Sequence, residues 1–254
     1  MAVHDFNSQR VFVEAGLAAG GRIDATREQA NYLLNVLRLR GGDRILVFNG
    51  RDGEWLCTLE TSGKRDLALV PAEQTRAQTP PGAIRYLFAP LKRARLDYMV
   101  QKAVEMGVGR LSPVMTRHTV AERVNLDRMR ANAIEAAEQC GILSLPEIDE
   151  PLALEKALAA WDPQVPLILC DEAAEVANPV AALVERLGAP DAGVAPREVG
   201  LLVGPEGGFA PAERELILAQ PFAVAISLGP RIMRADTAAI AALAILNAAI
   251  GDWR

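Results

Sequence analysis

Residues 199–250 constrain the fold of this chain more than any other stretch. Residues 200–203 are apolar and β-prone, and Gly204-Pro205-Glu206-Gly207-Gly208-Phe209 breaks that run. Pro211-Ala212-Glu213-Arg214-Glu215-Leu216 opens a short helix, and residues 222–228 form a second apolar strand. Gly229-Pro230-Arg231-Ile232-Met233-Arg234 is a second turn, and Asp236 starts a long Ala-rich helix. Glycine turns at the C-terminal ends of apolar strands are where open α/β sheets bind ligands. The same glycines would serve equally in plain strand-to-helix turns that need positive φ. Spacing alone does not choose between these readings.

The chain has 254 residues, enough for one large or two modest domains. Half of it is apolar and its mean hydropathy is +0.12, so a sizeable core can be buried. No apolar run reaches the roughly 18 residues that a membrane span needs. Met1 to Arg10 carry His4, Asp5 and Asn7 rather than an apolar core, which argues against a secretory signal. Cys57, Cys140 and Cys170 are far apart, form no C-x-x-C pair, and are each expected to be small buried apolar residues. The two histidines, His4 and His118, are also far apart, which argues against a metal site and against a Ser-His-Asp triad. A cytoplasmic location is expected.

The net charge is −5, but its distribution is uneven. Residues 76–130 hold 11 Lys/Arg against 4 Asp/Glu, and residues 131–199 hold 3 against 13. A basic zone on an acidic chain fits one face that touches phosphate, or a solvated helix face with no partner.

Taken in order, residues 10–13 read as a short strand. Thr26-Arg27-Glu28-Gln29 is a capping box. Ala30, Leu33, Leu34 and Leu37 continue it as a helix that Gly41-Gly42 should stop. Residues 44–48 and 54–60 form a hairpin about Asn49-Gly50-Arg51-Asp52-Gly53, and residues 66–70 add a strand. Several short strands with one helix suggest a small β-barrel domain over residues 1–72. Residues 71–82 hold three prolines and few large apolar residues, and residues 73–82 within them are expected to be a linker. Residues 83–254 then alternate between strands and helices. Strands are expected at 84–88, 111–115 and 165–170, and helices at 95–106, 127–140 and 179–187. This is an α/β domain with a mainly parallel sheet.

The turn at 204–209 lacks the Lys-Ser/Thr pair of a P-loop, which argues against nucleotide triphosphate hydrolysis. The stretch also lacks G-x-G-x-x-G spacing. It offers backbone N–H and C=O groups on tight turns beside Leu202, Phe209, Leu228, Ile232 and Met233, a setting for a flat neutral ring such as adenine. Ile232 and Met233 would serve equally as core. Arg231 and Arg234 could hold an electron-rich or anionic reacting group. Glu206 sits in the first turn, and Asp236 reads as the cap of the last helix. Lys92, Arg93 and Arg95 gather where a strand hands over to a helix, a place that attracts phosphate; Lys102, Arg110, Arg117 and Arg123 follow. Only Tyr86, Phe88 and Tyr98 supply aromatic rings there, so backbone and shape contacts fit better than base stacking.

Leu202-Val203-Gly204-Pro205-Glu206-Gly207-Gly208-Phe209, Ser227-Leu228-Gly229-Pro230-Arg231-Ile232-Met233-Arg234 and Asp236-Thr237-Ala238 together resemble the signature of the RsmE family, the 16S rRNA (uracil-N3) methyltransferases of the SPOUT class. Gln101-Lys102-Ala103-Val104-Glu105-Met106-Gly107-Val108 with Ser112-Pro113, Ala136-Ala137-Glu138-Gln139-Cys140, Pro146-Glu147-Ile148, Val36-Leu37-Arg38 and Arg10-Val11-Phe12 extend the resemblance over most of the chain in order. It implies an N-terminal PUA-like β-barrel and a C-terminal SPOUT α/β domain with a deep trefoil knot. It also implies a homodimer packed through the knot region, where Ala238, Ala241, Ala242 and Ala248 would suit close contact. The implied activity is S-adenosylmethionine-dependent methylation of uridine N3 in 16S rRNA of the small ribosomal subunit, without a metal.

Three loops, at 169–172, 204–209 and 228–234, would hold the cofactor. The residues carried over are Leu169, Val203, Gly204, Pro205, Glu206, Gly208, Leu228, Gly229, Ile232, Met233 and Arg234. Arg231 or Arg234 would stabilise the charge left on the uracil, and Glu206, Asp236 or water would act as base. Arg10, Arg38, Lys92, Arg93, Arg95, Lys102 and Arg117 would contact RNA. The chain departs from the family at Asp236, where Glu is common, at Ile142 and Leu143, where an arginine often stands, and at Arg117-His118-Thr119, where Arg-Ser is common. The alternatives are a SPOUT ribose 2′-O-methyltransferase acting on tRNA or rRNA, and a non-catalytic RNA-binding protein of ribosome assembly.

Overall fold

The computed structural model describes residues 8–62, 66–121, 123–175, 178–188, 197–251 and 253. The chain divides into two units: residues 1–80 with 137–145, and residues 81–136 with 146–254.

The first unit is built on a five-stranded sheet. Its strands are β1 (Arg10–Phe12), β2 (Ile23–Asp24), β3 (Arg44–Phe48), β4 (Glu54–Thr61) and β5 (Leu67–Arg76), in the order β1-β3-β4-β5-β2. β1 runs parallel to β3, and the other pairings are antiparallel. Val11 and Ile23, on the two outermost strands, share one core with Ala30, Leu33, Val47, Leu59 and Leu69. The sheet therefore curls around its own apolar face.

Helix α1 (Arg27–Asn31) opens with the expected box: the Thr26 hydroxyl accepts from Gln29 N–H at 3.2 Å, and the Gln29 side chain accepts from Thr26 N–H at 2.9 Å. It continues as one π turn, Tyr32–Val36. Gly41-Gly42 does not end it. Leu37 closes the turn, and Arg38 takes φ +59°, a left-handed stop that a glycine search misses. The expected linker is also partly strand: β5 continues through Pro71 to Arg76, paired with β4. Proline is tolerated there because β5 is irregular at that point, with register shifts in its pairing.

The sheet of the second unit includes β6 (Ile84–Phe88), β7 (Val108–Met115) and β10 (Leu167–Cys170). β8 (Glu147–Ile148) and β9 (Leu152–Ala153) are short, and β11 (Val199–Val203) and β12 (Ala223–Ile226) come last. The order is β12-β10-β11-β6-β7-β8, with β9 also on β7, and every pairing is parallel. The helices are α2 (Arg93–Glu105), α3 (Leu126–Cys140), α4 (Leu154–Ala159), α5 (Pro179–Leu187), α6 (Pro211–Leu218) and α7 (Ala235–Ala249).

The α2 stripe buries Leu96, Met99, Val100, Ala103 and Val104, as its spacing predicts. α7 packs on α2 and α5, and the buried Asn247 donates to Met106 O at 2.8 Å, satisfying a carbonyl at the end of α2. Ala238 and Ala242 are therefore buried within this chain, whereas Ala248 is exposed. Asp236 does not cap α7. Arg234 is the cap residue, and Asp236 lies in the first turn, where its charge suits the helix dipole. Cys57 is buried, Cys170 is half-buried and Cys140 is exposed, so the expectation of three buried cysteines fails at Cys140. Among the described residues no helix is long and apolar enough to cross a membrane.

Candidate active site

β10 lies between β12 and β11, with Leu169 level with Ala225 on one side and Leu202 on the other. The chain leaves these three strands at Cys170, Val203 and Ile226, so three distant loops emerge together at the carboxyl edge of the sheet. They enclose one pocket. Its walls are Cys170, Asp171 and Glu172 from the first loop, residues 203–206 with Gly208 and Phe209 from the second, and Leu228, Gly229, Arg231, Ile232 and Met233 from the third. Ala235 and Ala238 of α7 complete it.

Nine of the eleven expected cofactor residues line this pocket: Val203, Gly204, Pro205, Glu206, Gly208, Leu228, Gly229, Ile232 and Met233. Leu169 does not line it, because it is wholly buried in β10 and its neighbour Cys170 takes the lining position. Arg234 also lies outside the lining; its guanidinium is 3.8 Å from the Asp236 carboxylate. Of the two arginines at this turn, Arg231 is the one on the pocket wall. Ile232 is 90% exposed, which excludes the core-packing reading for it.

The turns have a local cause. Gly208 and Gly229 take φ +67° and +104°, conformations that side chains strongly disfavour. Gly208 N–H closes a turn on Pro205 O at 2.9 Å. The Phe209 ring packs so close to Gly204 that a Cβ there would lie 2.8 Å from it.

Polar contacts fix the loops from outside. Arg214 donates to Asp171 at 2.8 and 3.0 Å, tying the first loop to α6. The buried Glu213 accepts from Ala210 N–H at 2.9 Å and from Arg117 N–H at 2.7 Å. Glu206 pairs with Arg95 at 2.9 Å, so one expected base and one expected RNA contact hold each other. Burial pushes the Cys170 thiol up to about 12, leaving it protonated at neutral pH.

A second cleft lies where α2 begins. Lys92, Arg93, Arg123 and Arg128 line it, with Val120 and Met129. Arg128 is engaged by Asp97 at 2.6 Å, and the exposed Lys92, Arg93 and Arg123 give the cleft its basic character. Lys102 is not in this cleft; it pairs with Glu105 at 2.6 Å. Arg117 and Arg38 are exposed. Arg10 requires a correction as an RNA contact. It is only 6% exposed, and its guanidinium donates to Glu54 at 2.6 Å and to Glu138 O at 3.3 Å. A buried carboxylate needs a cation, and Arg10 supplies it from inside the fold.

Asp171, Glu213 and His118 escaped the residue-by-residue expectation. Asp171 was legible as the carboxylate just after a buried strand. The Ala210 contact of Glu213 is a local capping contact, but its bond from Arg117 N–H and the contacts of His118 reach across the sequence, where no local pattern encodes them.

Residues 78–247 match the family described as RNA methyltransferase domain, and residues 25–71 match RNA methyltransferase PUA domain. The ribosomal RNA small subunit methyltransferase E of Rickettsia conorii is 30% identical over 236 residues, covering 92% of this chain and 93% of that protein. The Synechocystis protein of the same name is 30% identical over 237 residues, covering 89% and 73%. A Legionella pneumophila structure in complex with bound cofactor SAM matches with a TM-score of 0.79 at 26% identity, over 96% and 98% of the two chains. The ribosomal RNA small subunit methyltransferase E of Neisseria gonorrhoeae, bound to S-adenosyl methionine, matches with a TM-score of 0.79 at 25% identity, over 98% and 100%. With both parts of the chain matched and relatives alike over nearly their full length, this chain belongs to the ribosomal RNA small subunit methyltransferase E family.

Proposed function

We propose that this chain methylates N3 of a uridine in 16S rRNA, using S-adenosylmethionine held at the carboxyl ends of β10, β11 and β12. One observation carries the reading: three loops far apart in sequence meet there around one pocket, with nine of the residues expected to hold the cofactor on its walls. The lining suits that ligand. Val203, Phe209, Leu228, Ile232 and Met233 offer apolar contact to a flat ring, and the glycine turns offer backbone groups. Three carboxylates also stand on the pocket's walls: Asp171, held by Arg214, Glu206, held by Arg95, and Glu172.

When bound, the cofactor supplies an electrophilic methyl group on a sulfonium that departs neutral. The work of the chain's own residues is placement and charge. Uracil N3 carries a proton at neutral pH, and losing it spreads negative charge over the ring oxygens. Arg231, on the pocket wall, is the first candidate to stabilise that charge, with Arg234 three residues on as the second. Glu206, Asp236 or water would take the proton. Arg95 holds one Glu206 oxygen, which leaves the other to accept the proton. The basic cleft at Lys92, Arg93 and Arg123, with Arg95 and Arg117, would hold RNA phosphates, and Arg38 in the first unit is a separate candidate contact. The same reading includes the trefoil knot, a homodimer, the assembled small subunit as substrate and a cytoplasmic location.

The test is methylation of small ribosomal subunits that lack the modification, with the product base located by mass spectrometry. Arg231→Ala should lower kcat by roughly 10²–10³ if it supplies the main charge stabilisation. Full activity in both Arg231→Ala and Arg234→Ala would sink that role, and a methyl group found on a ribose would sink the N3 assignment.

A further inference from the structure

We infer that His118 is a positioning residue for the 204–209 turn, holding the peptide planes of Gly207 and Gly208 in the conformation that receives S-adenosylmethionine; this rests on the cofactor reading above. His118 Nδ1 lies 3.2 Å from Gly207 O and 3.1 Å from Gly208 O. Both partners are carbonyls, which only accept, so Nδ1 must carry the hydrogen and donate to the pair. The residue also packs against the turn: a Cβ built on Gly207 would lie 3.4 Å from His118 Cβ and 3.6 Å from its ring.

His118 can hold the turn because it is itself held. It sits in a tight turn where Thr119 N–H donates to Thr116 O at 3.1 Å and Thr116 N–H donates to Thr119 Oγ1 at 2.9 Å. Arg117 N–H donates to Glu213, the same buried carboxylate that caps α6 just after the cofactor turn. One carboxylate thus fixes both the support and the far end of the supported loop. C=O and N–H are antiparallel across a trans peptide. Binding Gly208 O therefore also sets the direction of Phe209 N–H on the opposite edge. Arg95 on Glu206 is a further outer contact of this turn; it holds a side chain, whereas His118 binds the backbone carbonyls themselves.

Calorimetric titration of S-adenosylmethionine into the full chain and three variants tests this. His118→Ala and His118→Phe, the latter keeping the ring and losing the donor, should bind about ten-fold more weakly than the unaltered chain. His118→Asn, whose side-chain amide offers a donor at similar reach, should stay within about three-fold. KM for S-adenosylmethionine should rise in step while kcat changes little. Equal affinity in His118→Phe and the unaltered chain overturns the inference. So does a loss in His118→Asn as deep as in His118→Ala. A ligand-free melting temperature that falls together with affinity also overturns it, because it marks general support of the fold. Failure of the unaltered chain to bind removes the cofactor reading, and this inference with it.

Discussion

Gly229 shows how much a single residue controls at this site. Its φ of +104° lies where a side chain meets its own backbone, and no neighbour within 4 Å would otherwise obstruct a Cβ. Gly229→Ala therefore tests backbone strain and not crowding. It should cost about 1–3 kcal/mol and weaken S-adenosylmethionine binding, as calorimetry and thermal melts would show. A variant with unchanged affinity would mean that the third loop adapts freely. Gly204→Ala is a different case, since its Cβ would press on the Phe209 ring, which must shift within the pocket wall. Cys170 gives a chemical check. With its thiol pushed up to about 12, alkylation at pH 7.5 should leave it largely unmodified, which peptide mass mapping can read.

At the scale of elements, β1, β4 and β5 meet on one carboxylate. Glu54 accepts from Arg10 at 2.6 Å, from Arg76 at 2.7 and 2.9 Å and from Thr75 at 2.9 Å. The same arginines donate to Glu138 O and Gly141 O, where α3 ends. Glu54→Gln leaves the buried Arg10 and the partly buried Arg76 without their anion and should destabilise the protein by about 3–5 kcal/mol in denaturant unfolding. Burial alone would raise the Glu54 carboxyl, but the bonds from Arg76, Arg10 and Thr75 outweigh it and hold it below its usual value of 4.5. Asp149 behaves in the same way, with Arg110 and Ser112 outweighing burial below 3.8. A depressed carboxylate contributes stability that is full above its unfolded pKa and is lost as pH falls through its folded one. Acid unfolding should therefore set in below about pH 4.5, and Glu54→Gln should flatten that dependence.

For the whole molecule, the first unit is discontinuous in sequence. Residues 137–145 complete it, with Phe12 N–H donating to the Glu138 side chain at 2.8 Å and Gln78 to Leu143 O at 3.3 Å. A fragment of residues 1–80 loses these partners and should melt with less cooperativity, and at a lower temperature, than the unit does in the intact chain. A fragment melting as the unit does in the intact chain would show that the 137–145 segment adds nothing. The proposed homodimer predicts a mass near twice 27.3 kDa by light scattering.

What was legible in the sequence was local. The Thr26–Gln29 box, the α2 stripe, the hairpin between β3 and β4 and the two glycine turns are each set by residues within a turn or two of one another. Their φ preferences and side-chain spacing act over that range. Most of the pocket wall followed from those turns. Long-range pairing was not legible. Nothing near Leu169 announces that it will lie between Leu202 and Ala225, or that Asp171 will join Gly204 and Gly229 around one space. Nothing near Arg10 announces that its charge will be buried against Glu54, 44 residues away. Nor does the sequence around His118 show that its ring will meet Gly207, 89 residues on. Such meetings depend on which apolar faces bury one another across the whole chain, a choice made by tertiary packing and not by local propensity.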